Sequence, residues 1–378
     1  MRPALLIVFV DAMGPDQAPM LVDAGLRLPH QTALRGVLGY SSGAIPTILT
    51  GAHPSVHGRM CLFSRVAQDG TSPLRPLRWL GLLPRVVHER ARVRNLAAKV
   101  VSRARGYDGY VALHRVPPAR FPGIDIPEKE DLFQARRIGR GVTFLEHARE
   151  AGMKVVATDW KLPEEKRIEQ IEAAPGTDLA FLYLAGMDAI LHRDGGPSAA
   201  AQAWSRRAAG WIGRAQRALA RDGRDVRTLV VGDHGMARIT EVVDPRPFVT
   251  RLEAALPGQF LFVDATMLRI AARPDQHALV RDILRGMPGE LLDHAGLVAR
   301  DAPADGSYGD LIHLLPEGRL FAPSFLGGFV KGMHGYDRTS PSARAAVLSD
   351  APIEEELHGL EDIAPWVLRA LEIPAASP

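Results

Sequence analysis

Ala4-Leu5-Leu6-Ile7-Val8-Phe9-Val10-Asp11 sets seven apolar residues against a single acid. A continuous apolar run of this length, with no alternation of polar residues, predicts a strand covered on both faces, as in a parallel sheet. It is far short of the roughly 18 apolar residues a membrane span needs. A secretory leader would be followed by a small-residue cleavage site, whereas this run passes directly into Asp11-Ala12-Met13-Gly14. The expectation is a buried strand in a cytoplasmic protein.

Further runs of this kind occur at Lys154–Ala157, Asp178–Leu184 and Thr228–Gly232, with weaker ones at Phe260–Val263 and Asp310–Leu315. Helical patterns separate several of them. The clearest is Pro197 to Arg221, where Trp204, Trp211 and Ile212 recur at helical spacing among Arg and Gln. Strands alternating with helices predict an α/β fold, a mostly parallel central sheet with helices on both faces. Two intervals break the rhythm. Residues 60–140 are rich in Pro and Arg and read as an inserted basic cap, and residues 241–320 read as a smaller α+β insertion. The core is then 1–59, 141–240 and 321–378.

With 378 residues, 46% hydrophobic and 24% charged, the chain has ordinary globular composition, which argues against disordered and fibrous classes. Its one cysteine, Cys61, cannot form an internal disulfide and reads as a buried filler. Formal net charge is only +3, but Arg75, Arg78, Arg85, Arg90, Arg92, Arg94, Arg103, Arg105 and Arg115 crowd one interval with very few acids. Such a block is a solvated face, an attractor of a phosphorylated substrate, or a contact for an anionic membrane surface. No specific nucleic-acid binding is expected.

Several predicted strands end in metal-ligating residue types. Asp11 ends the first, Asp188 and His192 follow Asp178–Leu184, and Asp233-His234-Gly235-Met236 follows Thr228–Gly232. In open α/β sheets the carboxyl ends of strands form the binding crevice, so these groups would converge without a local motif. Asp188 and His192, four apart, would share one face of a helical turn. Taken singly, each is equally well an N-cap or a loop residue. Ser41 and Ser42 precede a helix expected to begin near Ala44 and end at Gly51, where a helix N-terminus would favour a phosphoryl group or an alkoxide.

Thr50-Gly51-Ala52-His53-Pro54-Ser55-Val56-His57-Gly58 resembles the T-G-x-x-P-x-x-H-G signature of the nucleotide pyrophosphatases/phosphodiesterases, a branch of the alkaline phosphatase superfamily. The resemblance implies a nucleophile nine residues before the Thr, which is Ser41 rather than Ser42. It also implies two divalent metal ions, as zinc, one held by Asp188, His192 and His334 and the other by Asp11, Asp233 and His234. His334 comes from Met333-His334-Gly335. His53 and His57 match the signature without being ligands, and His57 is expected to fix the loop after the helix.

Two departures stand out. Ser41 is followed by Ser-Gly-Ala, where the family has Phe-Pro-Asn after a Thr, and Leu62 occupies the place of an Asn that contacts the phosphoryl oxygen. Arg59 is the candidate substitute for that donor. The implied activity is metal-dependent hydrolysis of a phosphodiester or pyrophosphate through a covalent phosphoserine, on a small phosphorylated substrate. Phosphomonoesterase and phosphonate hydrolase activity are alternatives on the same core; a phosphosugar mutase and a non-catalytic binding protein are alternatives of other classes.

Overall fold

The computed structural model describes residues 3–67, 69–353 and 357–374. Six strands make the central sheet: β1 Ala4–Val10, β2 His30–Leu34, β3 Val155–Ala157, β4 Leu179–Leu184, β5 Val226–Val231 and β6 Ala345–Ser349. Their spatial order is β2-β6-β5-β1-β4-β3. β1 pairs in parallel with both β4 and β5, and β3 pairs in parallel with β4. Only β6 runs against its neighbours, pairing antiparallel with β5 and β2. The expected mostly parallel sheet is therefore present.

All seven residues of β1 are buried, and the period-two geometry of a strand divides them between two cores. Leu5, Ile7 and Phe9 pack with Phe181, Val231, Ile48 and Phe144 on one face. Leu6, Val8 and Val10 pack with Leu182, Val230, Trp204 and Ile212 on the other. This double coverage is why the run is unbroken in sequence. Burying each such side chain is worth about 1.5–3 kcal/mol, and a single Val8→Asp would place an unpaired charge between two layers.

On the second face lies the Ala199–Leu219 helix, started by Ser198, whose hydroxyl accepts from Ala201 N at 3.2 Å. Its buried Ala201, Trp204, Ala208, Ile212, Ala215 and Leu219 follow helical spacing. β2 and β6 carry no strong sequence signal. β2 is a partly exposed edge reading His-Gln-Thr-Ala-Leu, and β6 is a short, alanine-rich stretch.

Between Met60 and Arg140 the chain forms a helix at Ala91–Arg105, 3-10 turns at Arg75–Leu82 and Pro118–Gly123, and two short ladders. Phe63, Leu74, Val101, Phe121 and Ile126 give this segment a small core, which Phe262 joins from the later insertion. That insertion is a four-stranded antiparallel sheet, Leu261–Val263, Met267–Ile270, Leu311–Leu314 and Glu290–Leu292, with its own apolar cluster. Arg269 links the two, donating to Phe63 O at 2.8 Å while paired with Asp264 inside the core. Among the described residues, no helix is long and apolar enough to cross a membrane.

Candidate active site

Three adjacent strands, β5, β1 and β4, deliver most of the site from their carboxyl ends. Asp11 follows β1, and Asp233 and His234 follow β5. Asp188 and His192 lie one turn apart on the Gly186–Asp194 helix that leaves β4. His334 comes from the loop after the short Gly332–Met333 strand. All six predicted ligands meet at one rim, as the crevice rule requires.

Asp11 and Asp233 each have one carboxylate oxygen held and the other left bare, and Asp188 also keeps a bare oxygen. Tyr183 Oη donates to Asp11 Oδ2 at 2.9 Å, and the backbone N–H groups of Ala12 and His234 both donate to Asp233 Oδ1 at 3.1 Å. Asp11 Oδ1, Asp233 Oδ2 and Asp188 Oδ1 are buried without a hydrogen-bond partner. The histidines are oriented to match. His192 Nδ1 lies 2.8 Å from Gly332 O and His234 Nδ1 lies 2.8 Å from Gly235 O. A carbonyl only accepts, so Nδ1 carries the proton and Nε2 presents a lone pair.

Those lone pairs point at the bare oxygens, His192 Nε2 to Asp188 Oδ1 at 3.2 Å and His234 Nε2 to Asp233 Oδ2 at 3.1 Å. The rings of His234 and His334 stack with centroids 3.6 Å apart. Acceptors facing acceptors in a buried site are unfavourable by themselves and favourable around a cation. Asp11, Asp233 and His234 place ligand atoms within 4.8 Å of one another, and so do Asp188, His234 and His334. His234 thus belongs to both close sets, whereas the resemblance implied His192 in the second. His192 stands beside Asp188 instead.

The electrostatics express the same crowding. Burial, then the charges of Asp233 and Asp188, hold Asp11 well above the usual carboxylate range despite His234 and Tyr183. Burial pulls His234 down, but with no cation between them Asp233, Asp11 and Asp188 outweigh it and raise the imidazole to about 9, so that a second proton on Nε2 takes the place a cation would fill. Burial, followed by His234 and His192, drives His334 far below the ordinary histidine value.

Ser41 is the first residue of its helix, which spans Ser41–Thr50 and ends at Gly51 in the left-handed region with φ 70°. The start expected near Ala44 is corrected to Ser41, because extended Tyr40 already accepts from Gly43 N and Ala44 N. Ser41 Oγ therefore lies at the dipole's positive end, 3.0 Å from His234 Nε2. His57 is buried in the turn beyond, its Nε2 3.0 Å from Thr47 Oγ1 and its Nδ1 accepting from Arg59 N at 3.1 Å. It fixes the loop after the helix, as expected.

Over the rim is a cavity of about 690 Å³ holding Ser41, Ser42, Asp11, Asp188, His192 and His334. Tyr110, Trp160, Phe133, Tyr183, Leu62 and Leu132 also line it, with Glu128, Glu130 and Asp131 among them. The cap's arginines do not line it. Arg94 is buried and donates to His88 O and Val116 O, while Arg75, Arg78, Arg85, Arg90, Arg92, Arg103 and Arg105 face solvent. Arg167 does line the cavity, but its guanidinium is committed to the carbonyls of Leu162, Tyr183 and Trp160.

Arg59 lines a separate cleft that shares Glu128 with the cavity. Leu62 reaches the cavity where the resemblance called for an Asn, and Glu128 is buried there, its carboxyl raised by that burial. Tyr110, Trp160, Glu128 and Tyr183 have no sequence motif, though a tyrosine in the otherwise apolar β4 was a readable hint of a polar task.

The family model described as type I phosphodiesterase / nucleotide pyrophosphatase matches residues 41–337. Human ectonucleotide pyrophosphatase/phosphodiesterase 5 superposes with a TM-score of 0.66 at 14% identity, covering 100% of this chain and 96% of that one. The murine protein gives 0.66 at 15% identity with the same coverages, and its inactive variant in complex with AMP gives 0.65 at 15%. No curated protein matches significantly in sequence.

Proposed function

For a chain that belongs to the type I phosphodiesterase / nucleotide pyrophosphatase family, and is thereby a phosphoric-ester hydrolase, we propose metal-dependent cleavage of a phosphodiester through a phosphoserine at Ser41. The observation that carries this reading is the set of bare, buried oxygens of Asp11, Asp188 and Asp233 facing the Nε2 atoms of His192 and His234, with Ser41 Oγ beside them. This mixed Asp/His donor set suits two divalent cations of the zinc type. When bound, such cations favour the serine alkoxide, neutralise the phosphoryl oxygens and make hydroxide accessible near neutral pH.

The chain's own residues do the rest. The Ser41–Thr50 helix turns its positive dipole end toward Ser41 Oγ, where the phosphoryl group would be bound. Ser41 Oγ forms the new P–O bond as the bond to the leaving alcohol breaks, and the serine proton ends on that alcohol; water then attacks the phosphorus, releasing the phosphate monoester of the remaining alcohol and returning Ser41 to its hydroxyl form. Tyr183 and the amides of Ala12 and His234 hold Asp11 and Asp233 at fixed angles.

Aromatic walls and three acids line the cavity, and among the described residues no free arginine fork is there to take a second phosphate charge. This favours a diester with an apolar, aromatic or cationic alcohol over a monoester or a phosphonate. A phosphosugar mutase would need the phosphoserine shielded from water, which nothing in the open cavity suggests. The AMP complex of the murine relative supports a phosphate-bearing ligand.

The deciding experiment is a comparison of Ser41→Ala and Ser42→Ala on nitrophenyl diesters and monoesters, with phosphopeptide mapping of acid-quenched enzyme. Ser41→Ala should lower turnover on the diester by three orders of magnitude or more, with label found only on Ser41 in the parent. Equal losses at both serines, or no phosphoserine, would refute the assignment.

A further inference from the structure

Six of the thirteen large hydrophobic side chains exposed among the described residues fall between Trp79 and Val100. Leu82 is 79% exposed, Val86 71%, Leu96 64%, and Trp79 and Val100 58% each. These residues lie on three consecutive elements, the Arg75–Leu82 turn packing on the Arg85–His88 helix and that helix on Ala91–Arg105. Leu96 and Val100 are one turn apart and make a stripe, with Arg92, Lys99 and Arg103 at neighbouring helical positions.

Between Arg75 and Arg105 there are nine basic residues and one acid, Glu89. With Arg94 buried, eight of the nine are left on the surface. A merely solvated basic face has no reason to carry this much apolar surface, and an apolar patch meant for the protein's own core would not be ringed by arginine. Arg78 lies over the Trp79 ring at 4.4 Å, pairing the cationic and amphipathic groups that settle at a lipid headgroup boundary.

We propose that this face of the cap docks onto an anionic phospholipid surface. Trp79, Leu82, Val86 and the Leu96/Val100 stripe enter the headgroup boundary, and the arginines extend their stems along it to reach lipid phosphates. The charge identifies the occupant. A second copy of the chain would bring two strongly positive faces together, which like-charge repulsion opposes. A soluble polyanion would satisfy the arginines but leave the apolar side chains in water.

The test is sedimentation of the full chain with vesicles of phosphatidylcholine alone and of phosphatidylcholine mixed with phosphatidylglycerol. Binding should appear only with phosphatidylglycerol and fall as salt is raised. Leu82→Asp with Val86→Asp should reduce it at least tenfold while leaving the melting temperature unchanged, since both side chains are exposed. Arg78→Ala with Arg85→Ala should reduce it about tenfold or more. Failure to bind the anionic vesicles would overturn the proposal. So would binding that the paired Asp substitutions leave intact, heparin binding of equal strength that they also leave intact, or a concentration-dependent dimer that they abolish.

Discussion

At the rim of the sheet, Asp11, Asp188 and Asp233 each keep a buried carboxylate oxygen without a partner; in the cap, seven arginines between Arg75 and Arg105 stand in water. Both regions are dense in charge, and in sequence the cap is the more conspicuous. The difference is burial. An ionised group in water costs the fold almost nothing and so reports little, whereas unpaired acceptors in the interior cost several kcal/mol unless something else meets them. The chemistry therefore belongs to the rim, and the cap's charge must be judged by what lies between the arginines.

The largest test of this contrast is removal of one rim ligand. Asp233→Asn keeps the shape and the amide contacts of Oδ1 but takes away the charge that faces His234. It should strip metal from the protein in elemental analysis and lower turnover by about a thousandfold or more. Full activity after exhaustive chelation would break the comparison outright, because the bare oxygens would then have no function to explain them.

A second test concerns a histidine that is buried like the ligands but is not one of them. His57 uses both ring nitrogens in its neutral form, with Nδ1 accepting from Arg59 N and Nε2 directed to Thr47 Oγ1. Thr47 donates its own proton to Gly43 O, so Nε2 carries the hydrogen and a second proton on Nδ1 would face an N–H. Burial first, then Arg59 and His53, lower its pKa to about 3. The unfolded chain takes up this proton more readily, so the contribution is complete above about pH 6.5 and is lost as pH falls toward about 3. The total is on the order of a few kcal/mol. Denaturant melts of the parent and of His57→Gln should therefore converge as pH is lowered through this window. A stability difference independent of pH would show that His57 acts through packing alone.

The sequence made the rim legible because strand ends, a D-x-x-x-H spacing and the Thr50–Gly58 segment are local signals that a parallel sheet then gathers. It made β1, β4 and β5 legible because double coverage leaves an unbroken apolar run. It hid β2 and β6, whose pairing is decided by neighbours rather than by their own composition. It also hid the cavity wall, since Tyr110, Glu128 and Trp160 meet only through the way the cap folds back. Attraction of substrate was one of three readings of the cap's arginines, but Glu128 and the aromatics reach the cavity instead, because Phe63, Phe121 and Ile126 turn the apolar side of the cap onto Phe262 and leave its arginines outside.

The smallest expected effect follows from that last arrangement and sharpens the comparison at its weak end. Arg85, Arg92 and Arg103 are exposed, and none lines the cavity that contains Ser41. Arg85 pairs with Glu89 at 2.6 Å across one helical turn, a geometry that contributes little in water. Replacing each by Ala should change kcat/KM for a soluble diester by less than about twofold at high salt, with at most a modest loss at low salt from weaker long-range steering. Arg94 serves as the internal control. It is an arginine of the same helix, but its buried guanidinium donates to His88 O at 2.7 Å and Val116 O at 2.6 Å, so Arg94→Ala should lower the melting temperature by several degrees without altering kcat/KM of the folded enzyme. A tenfold loss of kcat/KM at high salt from any of the three exposed substitutions would mean that the cap closes further over substrate than this structure shows, and that exposure here does not separate idle charge from working charge.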